Sequence, residues 1–103
     1  MGRDLTALVL YEVDLTAATG NNSVKLTPTE FDLLKAMASS DSYVSTHDLL
    51  NQVWGPAYRT ELEYVRVYIR RLRGKLDSIG LTNAIDSRPG LGYRLTVGGS
   101  VPI

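Results

Sequence analysis

The 103-residue chain has no cysteine, and only one histidine, one tryptophan and one phenylalanine. Without cysteine it has neither a disulfide framework nor thiolate ligands for a metal. His47 stands without a partner at metal-ligand spacing, so imidazole chemistry is largely excluded and the residue reads as solvated surface. No apolar run approaches the roughly 18 residues of a membrane span, and Met1-Gly2-Arg3-Asp4 does not lead into a signal-peptide core. A soluble, intracellular protein is therefore expected, with no membrane partner, metal or cofactor. Paired carboxylates on a shared face and a nucleophile elbow are missing too, and Gly90-Leu91-Gly92 lacks the rest of a dinucleotide fingerprint. The sequence offers an enzyme little to work with.

What it does have is an uneven distribution of charge. The formal net charge is +0, from eleven basic and eleven acidic residues. Residues 1–63 carry nine acids against four bases, leaving −5, and residues 64–103 carry two acids against seven bases, leaving +5. The stretch from Tyr64 to Leu76, YVRVYIRRLRGKL, holds five bases and no acid. Asymmetry of this kind points to an anionic partner that the zero total conceals.

The organisation along the chain is that of one small domain. Period-two alternation places Val9, Tyr11, Val13 and Leu15 on one face of an N-terminal antiparallel sheet, with Thr19-Gly20-Asn21-Asn22 as a turn and Val24 and Leu26 resuming the pattern. Thr27, Pro28 and Glu30 then spell a helix start with a capping box. Phe31, Leu34, Met37 and Ala38 form the inner face of that helix, which ends near Ser39. Ser45 and Asp48 open a second, short helix through Leu49, Leu50, Val53 and Trp54, which Gly55-Pro56 stops. Thr60 and Glu63 offer a third capping box, before a helix over 61–78 that Gly80 terminates. Ala84–Arg88 and Tyr93–Val97 read as the two strands of a hairpin with Pro89-Gly90-Leu91-Gly92 at its tip, Tyr93 and Leu95 facing its core. Residues 98–103 read as a loose tail.

With successive residues 100° apart, Leu62, Val65, Ile69, Leu72 and Leu76 of the third helix form a buried stripe. Glu63, Tyr64, Val67, Arg70, Arg71 and Gly74 then face outward, flanked by Arg66, Tyr68 and Lys75. The like-charged i,i+4 pairs Arg66–Arg70 and Arg71–Lys75 each cost an isolated helix about 0.2–0.5 kcal/mol. A phosphate backbone would relieve that repulsion. A solvated surface is the competing reading, but such surfaces mix signs, and this one does not before Asp77. A short helix, a turn, a long basic helix and a hairpin make an α+β winged helix-turn-helix, whose long helix fits the width of a major groove.

The segments LTPTEFDLLKAM, STHDLLNQVWG, VRVYIRRLRGKL and SRPGLGYRL, in this order and spacing, resemble the DNA-binding effector domain of the OmpR/PhoB family of bacterial response regulators. The resemblance covers about residues 5–97 of a single domain spanning 1–103. The Tyr-Val-Arg-Val-Tyr run and the Pro-Gly of the hairpin are similar to the KdpE branch, which governs potassium uptake. The resemblance implies a four-stranded N-terminal sheet, three helices and a hairpin wing, ordinarily preceded by a receiver domain that this chain is expected to lack. It also implies a cytoplasmic, bacterial protein that controls transcription in a two-component system, under a histidine kinase. Binding to promoter direct repeats as a head-to-tail dimer is implied, as is contact with RNA polymerase through the loop 55–61.

On that reading Arg71 takes a base edge, preferably guanine O6 and N7, and Val67 meets a thymine methyl. Tyr64, Tyr68, Arg70 and Lys75 position the helix on phosphates, and Gly74 permits close approach. Thr46 either offers its hydroxyl or backbone N–H to a phosphate or caps its own helix. Ser87 and Arg88 complete the set from the wing. Arg88 stands in for the arginine that this family often places at the position of Pro89, which cannot insert into a minor groove. Glu63 also departs from the family pattern, which often places arginine there; its carboxylate would repel a backbone and suits the capping box instead. Arg73 lies nearer the buried stripe and suits either an ion pair, with Glu30 as the candidate partner, or a DNA contact, while Trp54 suits the core. A winged-helix module that binds protein through its tyrosines and arginines is the alternative function. Salt dependence separates the two, since about five phosphate contacts predict log K falling against log salt with a slope near −4 to −5.

Overall fold

Apolar alternation does open the fold as a sheet, on the face opposite to the expected one. In the computed structural model, which describes residues 8–58 and 60–101, β1 (Leu8–Tyr11) buries Leu8 and Leu10. Tyr11 is exposed, and Val13 is 97% exposed. The expected Val9, Tyr11, Val13 and Leu15 face fails because the strand stops at Tyr11. Residues 12–15 turn there, and Leu15 takes a positive φ of 50°. β2 (Thr16–Thr19) runs back antiparallel to β1, and the two-residue Gly20-Asn21 turn leads into β3 (Asn22–Lys25), with Thr19 opposite Asn22.

The fourth strand of this sheet comes from the other end of the chain. β6 (Gly99–Ser100) lies parallel to β1, with Leu8 opposite Gly99 and Val9 opposite Ser100, and the sheet order is β3-β2-β1-β6. The tail reading is corrected for residues 98–101, while 102 and 103 lie outside the described residues. The physical reason is that β1 has an open edge, and the Leu8 N–H finds its acceptor in the Gly98 carbonyl at 2.6 Å. Among the described residues the sheet thus has three N-terminal strands and one C-terminal strand, where four N-terminal strands were implied.

The helix starts follow the sequence. In α1 (Pro28–Ala38), Thr27 Oγ1 accepts from the Glu30 N–H at 3.2 Å, and Glu30 Oε1 accepts from the Thr27 N–H at 2.8 Å. Both halves of the capping box are present. Phe31, Leu33, Leu34 and Met37 are fully buried, each worth about 1.5–3 kcal/mol of transfer free energy. In α2 (Thr46–Val53) Ser45 Oγ accepts from the Asp48 N–H at 3.0 Å.

α3 (Leu62–Ser78) starts one residue late and without the expected box. Its N-cap is Glu61, and no side-chain cap bond forms there among the described residues. A 3₁₀ turn over Pro56–Tyr58 intervenes, and the Glu61 N–H goes to the Tyr58 carbonyl at 2.8 Å, so the chain enters the helix through successive tight turns. At the far end Gly80, at φ +87, is the left-handed residue of a Schellman stop. Its N–H donates to Asp77 O at 3.0 Å, and the Leu81 N–H donates to Leu76 O at 2.9 Å. Val65, Ile69, Leu72 and Leu76 are buried as expected, with Leu62 half-buried.

The hairpin is β4 (Ile85–Arg88) paired with β5 (Gly92–Leu95). Val44, just ahead of α2, bridges to Tyr93 through N–H···O bonds of 2.8 and 3.0 Å, tying the wing to the start of α2. Gly92 makes that contact feasible. Its φ is +118, and a Cβ there would run into the Val44 carbonyl.

Candidate nucleic-acid interface

Because the apolar stripe of α3 packs against α1 and α2, the opposite side of the helix faces solvent. Arg66, Arg70 and Arg71 are exposed, Tyr64 is 39% exposed, and Val67 and Tyr68 are half-buried. Arg66 Nη1 lies 3.0 Å from Glu63 Oε1, an exposed pair of little energetic weight that occupies the carboxylate the sequence placed outward. No acceptor is recorded for Arg70 or Arg71 among the described residues.

The last turns of α3 behave differently, and Lys75 takes the partner expected for Arg73. Lys75, expected on phosphates, donates from Nζ to Glu30 Oε1 at 2.6 Å and to the Lys25 carbonyl at 3.0 Å. Arg73, expected on Glu30, donates from Nη2 to the Ile85 carbonyl at 3.0 Å. The capping box holds the Glu30 carboxylate where Lys75 reaches it. Burial alone would raise the Glu30 pKa. The Lys75 hydrogen bond, the Thr27 N–H, the nearby ammonium charge and the Thr27 hydroxyl together outweigh it, and the pKa lies below the ordinary 4.5. Lys75 belongs to the fold before it belongs to any ligand.

An aromatic row runs from the α2–α3 connection along the helix. Tyr58 lies 6.0 Å from Tyr64, Tyr64 lies 5.8 Å from Trp54, and Trp54 meets Tyr68 edge-on at 5.3 Å. Trp54 is half-buried and anchors the connection, as its type suggests. The row ends at Arg71, whose guanidinium carbon sits 4.8 Å from the Tyr68 ring centre. Arg59, within the connection, lies outside the described residues.

The wing brings a second group together. Thr46, His47, Arg66, Ser87, Arg88 and Leu91 border an open cleft of about 430 Å³ between the start of α2, the start of α3 and the hairpin. Ser87 and Arg88 are exposed, and Arg88 Nε is 3.7 Å from Asp86 Oδ2. Two residues here escaped the sequence reading. The Tyr43 hydroxyl donates to Asp86, which raises its pKa above 10.0, and Arg94 and Arg88 lie 5.3 and 6.0 Å from the Tyr43 ring centre. Arg94 Nε is buried without a partner among the described residues. The available signal was Tyr43 beside Val44 and Arg94 beside Tyr93, alternating with residues that tie the wing down.

The layout offers three exposed arginines on a helix face, a helix N-terminus and a wing to one side. No group of three or more potential metal ligands occurs among the described residues, and none of their helices is long and apolar enough to cross a membrane. Three helices followed by a hairpin tied back to the second define a winged helix-turn-helix domain. A family profile described as "Transcriptional regulatory protein, C terminal" matches residues 20–95, and the chain belongs to this family, the OmpR/PhoB-type effector domains of response regulators. It is 44% identical over 73 residues to the transcriptional regulatory protein KdpE of Mycobacterium tuberculosis, covering 69% of this chain and 32% of that protein. The response regulator ArlR of Staphylococcus epidermidis is 31% identical over 91 residues, with 87% and 42% covered. The solved DNA-binding domain of Bacillus subtilis CssR matches at a TM-score of 0.70 and 32% identity, over 86% of this chain and 99% of that one. The chain spans under half the length of the curated relatives it matches.

Proposed function

We propose that this domain binds double-stranded DNA in a sequence-specific manner, as the output domain of a two-component response regulator that controls transcription. The observation that carries the reading is the outward face of α3, where core packing leaves Arg66, Arg70 and Arg71 exposed together. Arg71 reads a base edge, with Val67 beside it against a thymine methyl. Arg66, Arg70 and Tyr64 hold the backbone on one side of the groove, and Thr46, Ser87 and Arg88 hold it across the cleft. Lys75 is left out of the phosphate set because its ammonium is engaged by Glu30 and Lys25.

Family membership supports the wider setting. The domain acts in the cytoplasm behind a receiver domain and a histidine kinase, as a dimer on direct repeats. The connection over 55–61 is the surface offered to RNA polymerase.

Selection from a random duplex library, followed by titration against salt, tests the reading. With Lys75 withdrawn, the remaining arginines predict a slope of log K against log salt of about −3 rather than −4 to −5. Arg71→Ala should relax preference at one base position, whereas Arg70→Ala should weaken all sequences alike. A domain that enriches no sequence and shows a flat salt response is instead a protein-binding module.

A further inference from the structure

We propose that Tyr68 is a positioning residue for base recognition, its ring holding the Arg71 guanidinium in the pose that donates to a guanine edge. The inference rests on Arg71 being the base reader. Tyr68 and Arg71 are three residues apart on α3, neighbours on one helix face. The guanidinium carbon is 4.8 Å from the ring centre, inside the roughly 6 Å range of a cation–π contact. A guanidinium stacks through its face and donates through its edges, so the ring fixes the plane without consuming the donors. Those donors have no recorded acceptor among the described residues.

The platform is itself held. Tyr68 is half-buried and meets Trp54 edge-on at 5.3 Å and 69°, and Trp54 packs against Tyr64. Ordering a long, rotamer-rich side chain at the moment of binding costs affinity, and a side chain already ordered loses less. Arg70, adjacent and also exposed, has no such ring beneath it among the described residues and serves as the internal control. The Tyr68 ring is committed to Trp54 and Arg71, which replaces the direct phosphate role that the sequence gave it.

The test measures the ratio of Kd for a duplex changed at the base pair that Arg71→Ala desensitises to Kd for the selected duplex. Tyr68→Phe, which keeps the ring, should preserve this ratio. Tyr68→Leu should lower it by about two- to five-fold, the weight of an exposed cation–π contact, with the salt slope unchanged because no phosphate contact is lost. Tyr68→Leu added to Arg71→Ala should change the ratio no further. In the free wild-type domain, NMR should show the Arg71 side-chain protons shifted upfield by the ring, a reading that does not depend on whether Tyr68→Leu folds. An unchanged ratio in Tyr68→Leu, an equal fall in Tyr68→Phe, or Arg71 protons at ordinary shifts would overturn the proposal while leaving DNA binding intact. Failure of Arg71→Ala to alter any base preference would remove Arg71 as the reader, and Tyr68 with it.

Discussion

Between Leu62 and Arg71, α3 turns three arginines to solvent, two of them with no recorded acceptor and the third paired only at the surface. One turn further on, Lys75 reaches back to Glu30 and the Lys25 carbonyl, and Arg73 reaches the Ile85 carbonyl. The two halves share a helix and a sign of charge. They differ in what lies opposite. The N-terminal half meets the α2–α3 connection, where Trp54 backs the Tyr68 ring and the guanidinium of Arg71 lies over that ring with its edges free. The C-terminal half meets the capped start of α1, where a buried carboxylate demands a cation. On the proposed reading, a run of positive charge is therefore two devices, one for a ligand and one for the fold.

The largest effect that separates them is Lys75→Ala. Glu30 is 2% exposed, and without Lys75 its charge keeps only the Thr27 groups. The loss of stability should be about 2–3 kcal/mol in urea unfolding, below the roughly 3–5 kcal/mol of a fully buried pair because the Lys75 side chain is 33% exposed. DNA affinity, corrected for the folded fraction, should hold. Arg70→Ala should do the reverse, with stability within about 0.5 kcal/mol of the parent and affinity reduced for every sequence. Weaker DNA binding by Lys75→Ala at full stability would erase the distinction.

Acidification probes the same pair more gently. The Glu30 pKa is lower in the fold than its ordinary 4.5, so the fold stabilises the charged form. That stabilisation is fully present above pH 4.5 and is lost as pH falls through the lower, folded value. The urea midpoint should therefore drop on acidification below about pH 4.5, and Glu30→Gln should start lower and flatten that part of the curve. A Glu30→Gln profile as steep as the parent's would place the acid-labile interaction elsewhere.

The sequence shows the division only in part, for a geometric reason. Thr27-Pro28-Glu30, Ser45 with Asp48, Gly55-Pro56 and Gly80 each act within one turn of chain, and the structure has a helix boundary at each. Thr60 with Glu63 matches the same local pattern, yet a 3₁₀ turn set by the path of the connection overrides it. Arg73 follows Ile69 by four residues and Lys75 follows Leu72 by three, so both flank the buried stripe, from opposite sides. Periodicity cannot say which flank faces α1, and the Glu30 partner was accordingly misassigned. Nor can two residues display a period, which is why Gly99–Ser100 read as tail. The Tyr58, Tyr64, Trp54 and Tyr68 row joins three elements, so no single stretch announces it.

The smallest effect concerns where the two halves meet. Gly74 follows Arg70 by four residues and Arg71 by three, on the outward face, and a Cβ built on it meets nothing within 4 Å. Gly74→Ala should therefore stabilise the domain by roughly 0.5–1 kcal/mol, the ordinary gain in an exposed helix interior. The sequence suggested that glycine here lets a duplex approach closely. With Lys75 turned inward, the proposed ligand face instead ends near Arg71, and a methyl group at Gly74 should leave Kd within about twofold of the parent. Should affinity fall tenfold while stability rises, the duplex presses on the helix beyond Arg71, and the boundary between the two halves moves toward Asp77.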